Sequence, residues 1–186
     1  MKKFLERLVR SRRVWHGRAV DFRVDTVLLP DGKPVAREYL AHWGAVAVVP
    51  FIGDDIVLVR QYRHPVRRVT CELPAGKLHR GEAVLSCLKR ELHEETGYTA
   101  GRIRKLIGFW PTPAFSNELI HVFVADRLKP GRMHPDHDEF LSSVRVPFEK
   151  ALRWVFAGRI RDSKTVIALL ACAVLRRNRA GKRLYQ

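Results

Sequence analysis

A chain of 186 residues with 46% hydrophobic content is long enough for one well-buried domain and makes no demand for a second. No apolar run reaches membrane-spanning length, and the opening MKKFLERLVRSRR interrupts its few apolar residues with charges, so neither a spanning helix nor a secretory signal is expected and the chain reads as cytoplasmic. The formal net charge of +16 is unevenly placed: residues 1–20 hold seven Lys or Arg against one acid, residues 150–186 ten against one, and the remainder eighteen against seventeen.

The body of the chain is therefore near neutral and both ends are basic. A polybasic end such as RRNRAGKR either binds nucleic acid or an anionic lipid surface, or serves as a solvated face. Cys71, Cys87 and Cys172 are far apart, odd in number and without a CxxC, which speaks against a disulfide framework or a zinc site; they read as small core residues.

In chain order, residues 14–28 alternate as a strand, Pro30-Asp31-Gly32 is a turn, and residues 34–42 form a second strand, an N-terminal β-hairpin. Residues 45–51 and 56–62 are β-rich apolar runs split by Gly53-Asp54-Asp55, a second hairpin signal. Short strands are expected over 69–73, 102–110, 118–127 and 141–146, and helices over 148–157 and 164–177, the latter capped by Asp162 or Ser163. There are no internal repeats and no low-complexity segments. Many strands with few helices predict an α+β fold, an α/β sandwich.

The stretch GKLHRGEAVLSCLKRELHEETGY, Gly76 to Tyr98, carries the chemistry. Its second half predicts a helix from Glu82 to Thr96, ended by Gly97 as a left-handed cap. At about 100° per residue, with Glu91 at zero, Glu95 lies near +40° and Glu94 near −60°, so three carboxylates share one side of a single turn. Val84, Leu85, Leu88 and Leu92 form an apolar stripe that sets an acidic, exposed edge beside it. Arg90, four residues before Glu94, can pair with it and hold the carboxylates in place. Glu82 falls opposite the cluster, where its charge favours the helix N-terminus. Crowded carboxylates repel unless a cation neutralises them, and hard oxygen ligands beside phosphates suit a divalent ion, Mg²⁺ or Mn²⁺.

The spacing is Gly76, five residues, Glu82, seven residues, then Arg90-Glu91-Leu92-His93-Glu94-Glu95-Thr96-Gly97. It resembles the Nudix box, the signature of the Nudix hydrolases, with Tyr98 its one departure, where the pattern prefers an aliphatic residue. The runs RQYRHPVRRVTCELPAGKLHRGE, PTPAFSNE and HDEFLSSVRVPFEKAL extend the likeness to the ADP-ribose pyrophosphatase branch. That resemblance implies the Nudix fold, a mixed sheet between helices, over residues 43–186, preceded by the hairpin extension of residues 1–42.

The resemblance also implies roles. The metal would be held by Glu91, Glu95 and the carbonyl of Ala75, with Glu94 holding a second ion or a metal-bound water and Arg90 as support. Glu139, in the acidic stretch Asp136 to Glu139 before a strand, matches the catalytic base, with His137 and Asp138 as alternatives. Arg63 matches an arginine used on substrate phosphate or ribose, and Glu118 a carboxylate on the ribose side. Pro113 matches the proline associated with ADP-ribose hydrolysis, although the loop reads PAFS where the branch commonly has PGFS. Arg37 lies on a strand that related enzymes contribute across a homodimer interface. The expected reaction is metal-assisted hydrolysis of ADP-ribose or a close nucleoside diphosphate sugar. The alternatives are another linked diphosphate such as NADH, GDP-mannose or an oxidised nucleotide, or a basic RNA-binding module. The expected partners are a small nucleoside diphosphate derivative and a second copy of the chain, with no membrane; nucleic acid would be met only by the basic ends.

Overall fold

The computed structural model describes residues 2–17, 20–135 and 139–179. Its contacts divide the chain into two units, Met1–Gly44 with Trp110–Leu119, and Ala45–Phe109 with Ile120–Gln186.

In the first unit, β1 (Arg7–His16), β2 (Asp21–Leu28) and β3 (Pro34–Ala41) form an antiparallel sheet in that order. The two-stranded hairpin expected from the sequence is therefore a three-stranded meander. The expected strand over 14–28 is broken: its start belongs to β1, and β2 begins at Asp21. The basic opening residues hid β1, because all ten of its residues are exposed and an edge strand needs no alternating apolar face. The turn between β2 and β3 falls where Pro30-Asp31-Gly32 placed it. Gly32 N donates to Leu29 O at 2.9 Å, and Asp31 Oδ1 accepts from Lys33 N at 3.1 Å. Residues 110–119 join this sheet through Leu40 N, which donates to Phe115 O at 2.9 Å, and His42 N, which donates to Asn117 Oδ1 at 2.7 Å.

In the second unit, β4 (Ala45–Ile52) and residues 56–59 of β5 (Asp55–Arg63) are apolar without alternation because both of their faces are covered. They belong to a seven-stranded mixed sheet with β6 (Arg68–Glu72), β7 (Ala75–Lys77), β8 (Thr99–Phe109), β9 (Ile120–Lys129) and β10 (Leu141–Pro147). The main path runs β10-β5-β4-β9-β8, with β6 on β5 and β7 on β4, and only β4 and β9 pair in parallel. Alternate residues of β4 divide the core in two. Val46 and Val48 meet Cys87, Leu88 and Leu92 of α1 (Val84–Thr96). Ala45, Ala47 and Val49 meet α2 (Phe148–Phe156) and α3 (Ser163–Arg179) on the other face. This is the α+β sandwich expected of the chain. At α3, Asp162 Oδ2 accepts from Thr165 N at 3.0 Å, a side-chain cap in the expected place.

The ends of α1 set the site. The helix starts at Val84, two residues later than expected, after an Ala83 N-cap that lacks a side-chain acceptor. Glu82 thus lies in the preceding loop, where the helical wheel does not apply; His79 N donates to its carboxylate and Glu82 N donates to His79 O, both at 3.0 Å. The buried stripe is also rotated from the expected one. Leu85 is 50% exposed while Cys87 is fully buried. At the C-terminus Gly97 takes φ 75°, its N–H donating to His93 O at 2.7 Å. The segment after β9 crosses this cap, and His134 N donates to Glu94 O at 3.0 Å.

A Cβ on Gly97 would lie 2.6 Å from Gly131 O in addition to demanding a left-handed alanine. Gly97→Ala is therefore expected to destabilise the chain by about 2 kcal/mol, read as a lower urea midpoint at unchanged slope; an unshifted midpoint would show that the crossing loop gives way freely.

Candidate active site

The site is built where α1 passes under β7. Glu95 is only 3% exposed, and its Oε2 accepts from Ala75 N at 2.9 Å. Contrary to the exposed acidic edge expected from the wheel, this carboxylate sits in the middle of the buried face, flanked by Cys87, Leu88 and Leu92. Burial pushes its pKa up to about 8, and the neighbouring charges of Glu91 and Glu139 push the same way, against the Ala75 N–H and Lys164. Glu91 is likewise raised, first by burial and then by Glu94 and Glu139, although Arg90 opposes this. Gly76 makes the approach possible: a Cβ there would fall 1.9 Å from the Glu91 carboxyl carbon. Consecutive residues of one short strand thus receive both carboxylates.

Arg90 gathers the remaining charge. Its Nη1 donates to Glu91 Oε1 at 2.6 Å and to Glu94 Oε2 at 3.0 Å, the pairing expected from the i,i+4 spacing. Its Nε and Nη2 donate to Glu82 at 3.1 and 3.2 Å. One guanidinium therefore spans three carboxylates, one from the loop and two from a single turn of the helix. Glu82 is held down to about pKa 2, chiefly by Arg90, and is a partner of that arginine rather than a charge placed for the helix dipole.

A second ionic group stands one strand away and was not foreseen. Glu72 is 2% exposed and receives Nε and Nη2 of Arg63, both at 2.9 Å, as well as Thr70 Oγ1 at 2.6 Å and Lys164 Nζ. Burial would raise its pKa, but these donors bring it down to about 2. Beside it Leu73 N donates to the buried Thr165 Oγ1 at 2.8 Å. The N-terminus of α3 thereby anchors the chain immediately before Ala75. Arg63 is committed to Glu72 through two of its nitrogens, Nε and Nη2. The available signal was an acid inside the otherwise apolar run VTCEL.

Glu139 lies near enough to Glu91 and Glu95 to raise both pKa values. The alternatives His137 and Asp138 lie outside the described residues. In the first unit, Arg37 forks onto Glu6, Nε to Oε2 at 3.0 Å and Nη2 to Oε1 at 2.5 Å. Pro113 lies in a turn closed by Phe115 N and Ser116 N on Thr112 O, at 3.2 and 3.1 Å. Glu118 has its N–H on Ser116 Oγ at 3.1 Å and its carboxylate 3.8 Å from His42 Nε2.

Among the described residues no three His, Cys, Asp or Glu side chains converge as a ready ligand set. The donor chemistry nevertheless fits a hard divalent ion. Two carboxylates are buried against β7 at the Gly76 cradle with raised pKa values, which a cation would reverse. Gly76→Ala should lower activity by roughly 10²-fold by displacing Glu91, with an unchanged circular dichroism spectrum. Full activity in that variant would show that Glu91 need not lie against the strand.

A family model described as NUDIX domain matches residues 41–168. The chain is 38% identical over 172 residues to the ADP-ribose pyrophosphatase of Bacillus subtilis (strain 168), covering 91% of this chain and 93% of that protein. It is 41% identical over 171 residues to the methanol dehydrogenase activator of Bacillus methanolicus, covering 90% and 92% respectively. A solved ADP compounds hydrolase shares its fold with TM-score 0.83 at 22% identity, over 94% of this chain and 95% of the other. With the signature glycine and glutamates gathered at one strand and helix, and the family model matched over most of its length, the chain belongs to the Nudix family.

Proposed function

We propose that this protein hydrolyses the diphosphate of ADP-ribose, or of a close nucleoside diphosphate sugar, to a nucleoside monophosphate and a sugar phosphate. The observation that carries the reading is the pair Glu91 and Glu95 brought against Ala75 and Gly76 with Glu139 in electrostatic reach. The similarity to an ADP-ribose pyrophosphatase over almost its whole length supports the choice of substrate.

Glu91, Glu95 and the carbonyl of Ala75 would hold Mg²⁺ or Mn²⁺. When bound, the ion supplies positive charge to the diphosphate and eases the ionisation of water. The chain's own residues do the rest. Glu139 accepts the proton of the attacking water as its oxygen bonds to phosphorus and the bridging P–O bond breaks. Glu94 orients that water, and Arg90, bonded to Glu91 and Glu94, keeps both carboxylates in register. Arg63 and Glu118 take the substrate's phosphate and ribose sides, with Pro113 shaping the loop.

A homodimer completes the proposal. Leu8, Val9, Val14 and Trp15 of β1 are each 47–58% exposed, an apolar set that a twofold partner would cover, offering Arg37 to the other copy's substrate. Light scattering should give twice the chain mass; a monomer at working concentration would refute the shared site. Among the described residues no helix is long and apolar enough to cross a membrane. The three free cysteines support action in the cytoplasm.

Incubation with ADP-ribose and Mg²⁺ in ¹⁸O-labelled water should yield AMP and ribose 5-phosphate, one of them labelled; a panel in which another diphosphate is turned over much faster would replace the substrate. Glu95→Gln should remove most activity. It should also change the pH dependence of stability. The folded pKa of about 8 exceeds the ordinary 4.5, so wild type in chelator loses stability as pH rises from 4.5 towards 8, by roughly 4 kcal/mol, and the glutamine variant does not. Parallel pH–stability curves for the two proteins would contradict this burial argument. Glu139→Gln should lower kcat by about 10²-fold with KM little changed; wild-type turnover across pH would move the base elsewhere.

A further inference from the structure

On the face of the sheet opposite α1, a cavity of about 480 Å³ lies between β8, β9 and the C-terminal half of α3. Phe51, Val124 and Leu175 give it an apolar wall. Arg102, Arg104, Arg127 and Arg176 bring four cations to it, against Asp54, which takes Arg176 Nη2 at 2.6 Å, and the one acid of the lining, Asp126. That carboxylate is already shared, taking Arg102 Nε and Nη2 at 2.8 and 2.7 Å and Arg104 Nη2 at 3.4 Å. Two acids cannot neutralise this set.

Three further features point to a ligand. Arg104 Nε is buried without an acceptor among the described residues, an arrangement that an anion would relieve. Arg176 stands over Phe51 and Phe148 at 5.2 and 4.9 Å from the ring centroids, which holds its charge beside the apolar wall. Last, the backbone leaves regular strand geometry where a cation is added. Neighbours in a strand face opposite sides, yet Asp126 and Arg127 both line the cavity, with a left-handed φ of 56° at Arg127. A long side chain rarely adopts that conformation, and such outliers concentrate at binding sites.

We propose that this cavity binds a small organic phosphate of about nucleoside monophosphate size. Its anionic group lies against Arg104 and Arg127, and its planar apolar body against Phe51 and Leu175. The site is separate from the acid cluster, which belongs to the α1 face.

The test is calorimetric titration of the full chain in EDTA with AMP and with 1-naphthyl phosphate, and with adenosine as the uncharged control. At least one phosphate should bind one site per chain with a Kd below about 100 µM, and adenosine roughly 10-fold more weakly than AMP. Leu175→Trp, which fills the apolar wall, and Arg127→Gln, which removes an exposed charge, should each weaken phosphate binding roughly 5-fold or more, while Glu95→Gln leaves it unchanged. Arg127→Gln carries the test alone if the tryptophan variant fails to fold. Absence of binding by both phosphates at about 1 mM, binding that survives Arg127→Gln, or binding lost in Glu95→Gln overturns the proposal.

Discussion

Burying like charges together is the constraint on which the rest of this structure depends. A carboxylate taken out of water loses solvation worth several kcal/mol, and a second one close by adds repulsion. Glu95 and Glu91 accept both penalties at the same strand. Folding alone gains nothing from such an arrangement, which has value only where positive charge must be drawn into a dry, shaped place. The surrounding elements are arranged to tolerate it: a main-chain N–H for Glu95, a bare Cα at Gly76 for Glu91, and apolar residues of α1 that keep the helix seated while its polar residues are strained.

Counter-charges are divided between two groups of acids. Arg90 serves Glu82, Glu91 and Glu94, whereas Lys164 and Arg63 serve Glu72. Glu95 alone has a backbone donor instead of an ion pair as its close partner. This leaves a wide spread of basicity, from Glu72 and Glu82 held near pKa 2 to Glu95 near 8. The low end is structural and stays ionised at any physiological pH. The high end responds to whatever charge is brought beside it.

Much of this was legible in the sequence because local rules dominate there. The cap at Gly97, the i,i+4 pair Arg90 and Glu94, the turn at Asp31-Gly32 and the Asp162 cap each depend on residues within one turn of each other. What failed depended on distant neighbours. Periodicity gives a side chain's direction on a helix but not the depth of what lies over it, so Glu95 was expected at an exposed edge although β7 covers it. Leu85 was expected inside for the same reason. The helix start was misjudged because Ala83 offers no capping side chain to mark it. Lys164 and Glu72 lie 92 residues apart, and nothing local connects them.

Strand β1 bears on how the folded chain behaves in a crowded solution. It is the edge of its sheet, exposed along its whole length, and an open row of main-chain donors and acceptors beside Leu8, Val9, Val14 and Trp15 is a template for further strands. Arg7, Arg10, Arg12 and Arg13 occupy the same ten residues. Like charges oppose edge-to-edge stacking of such strands, a contact different from the covering of the apolar side chains proposed for the dimer, and that repulsion reaches only about 10 Å at 0.1 M salt. The basic strand thus has the composition of a gatekeeper against fibrous assembly, and concentrated salt or a polyanion would favour pairing along the same edge.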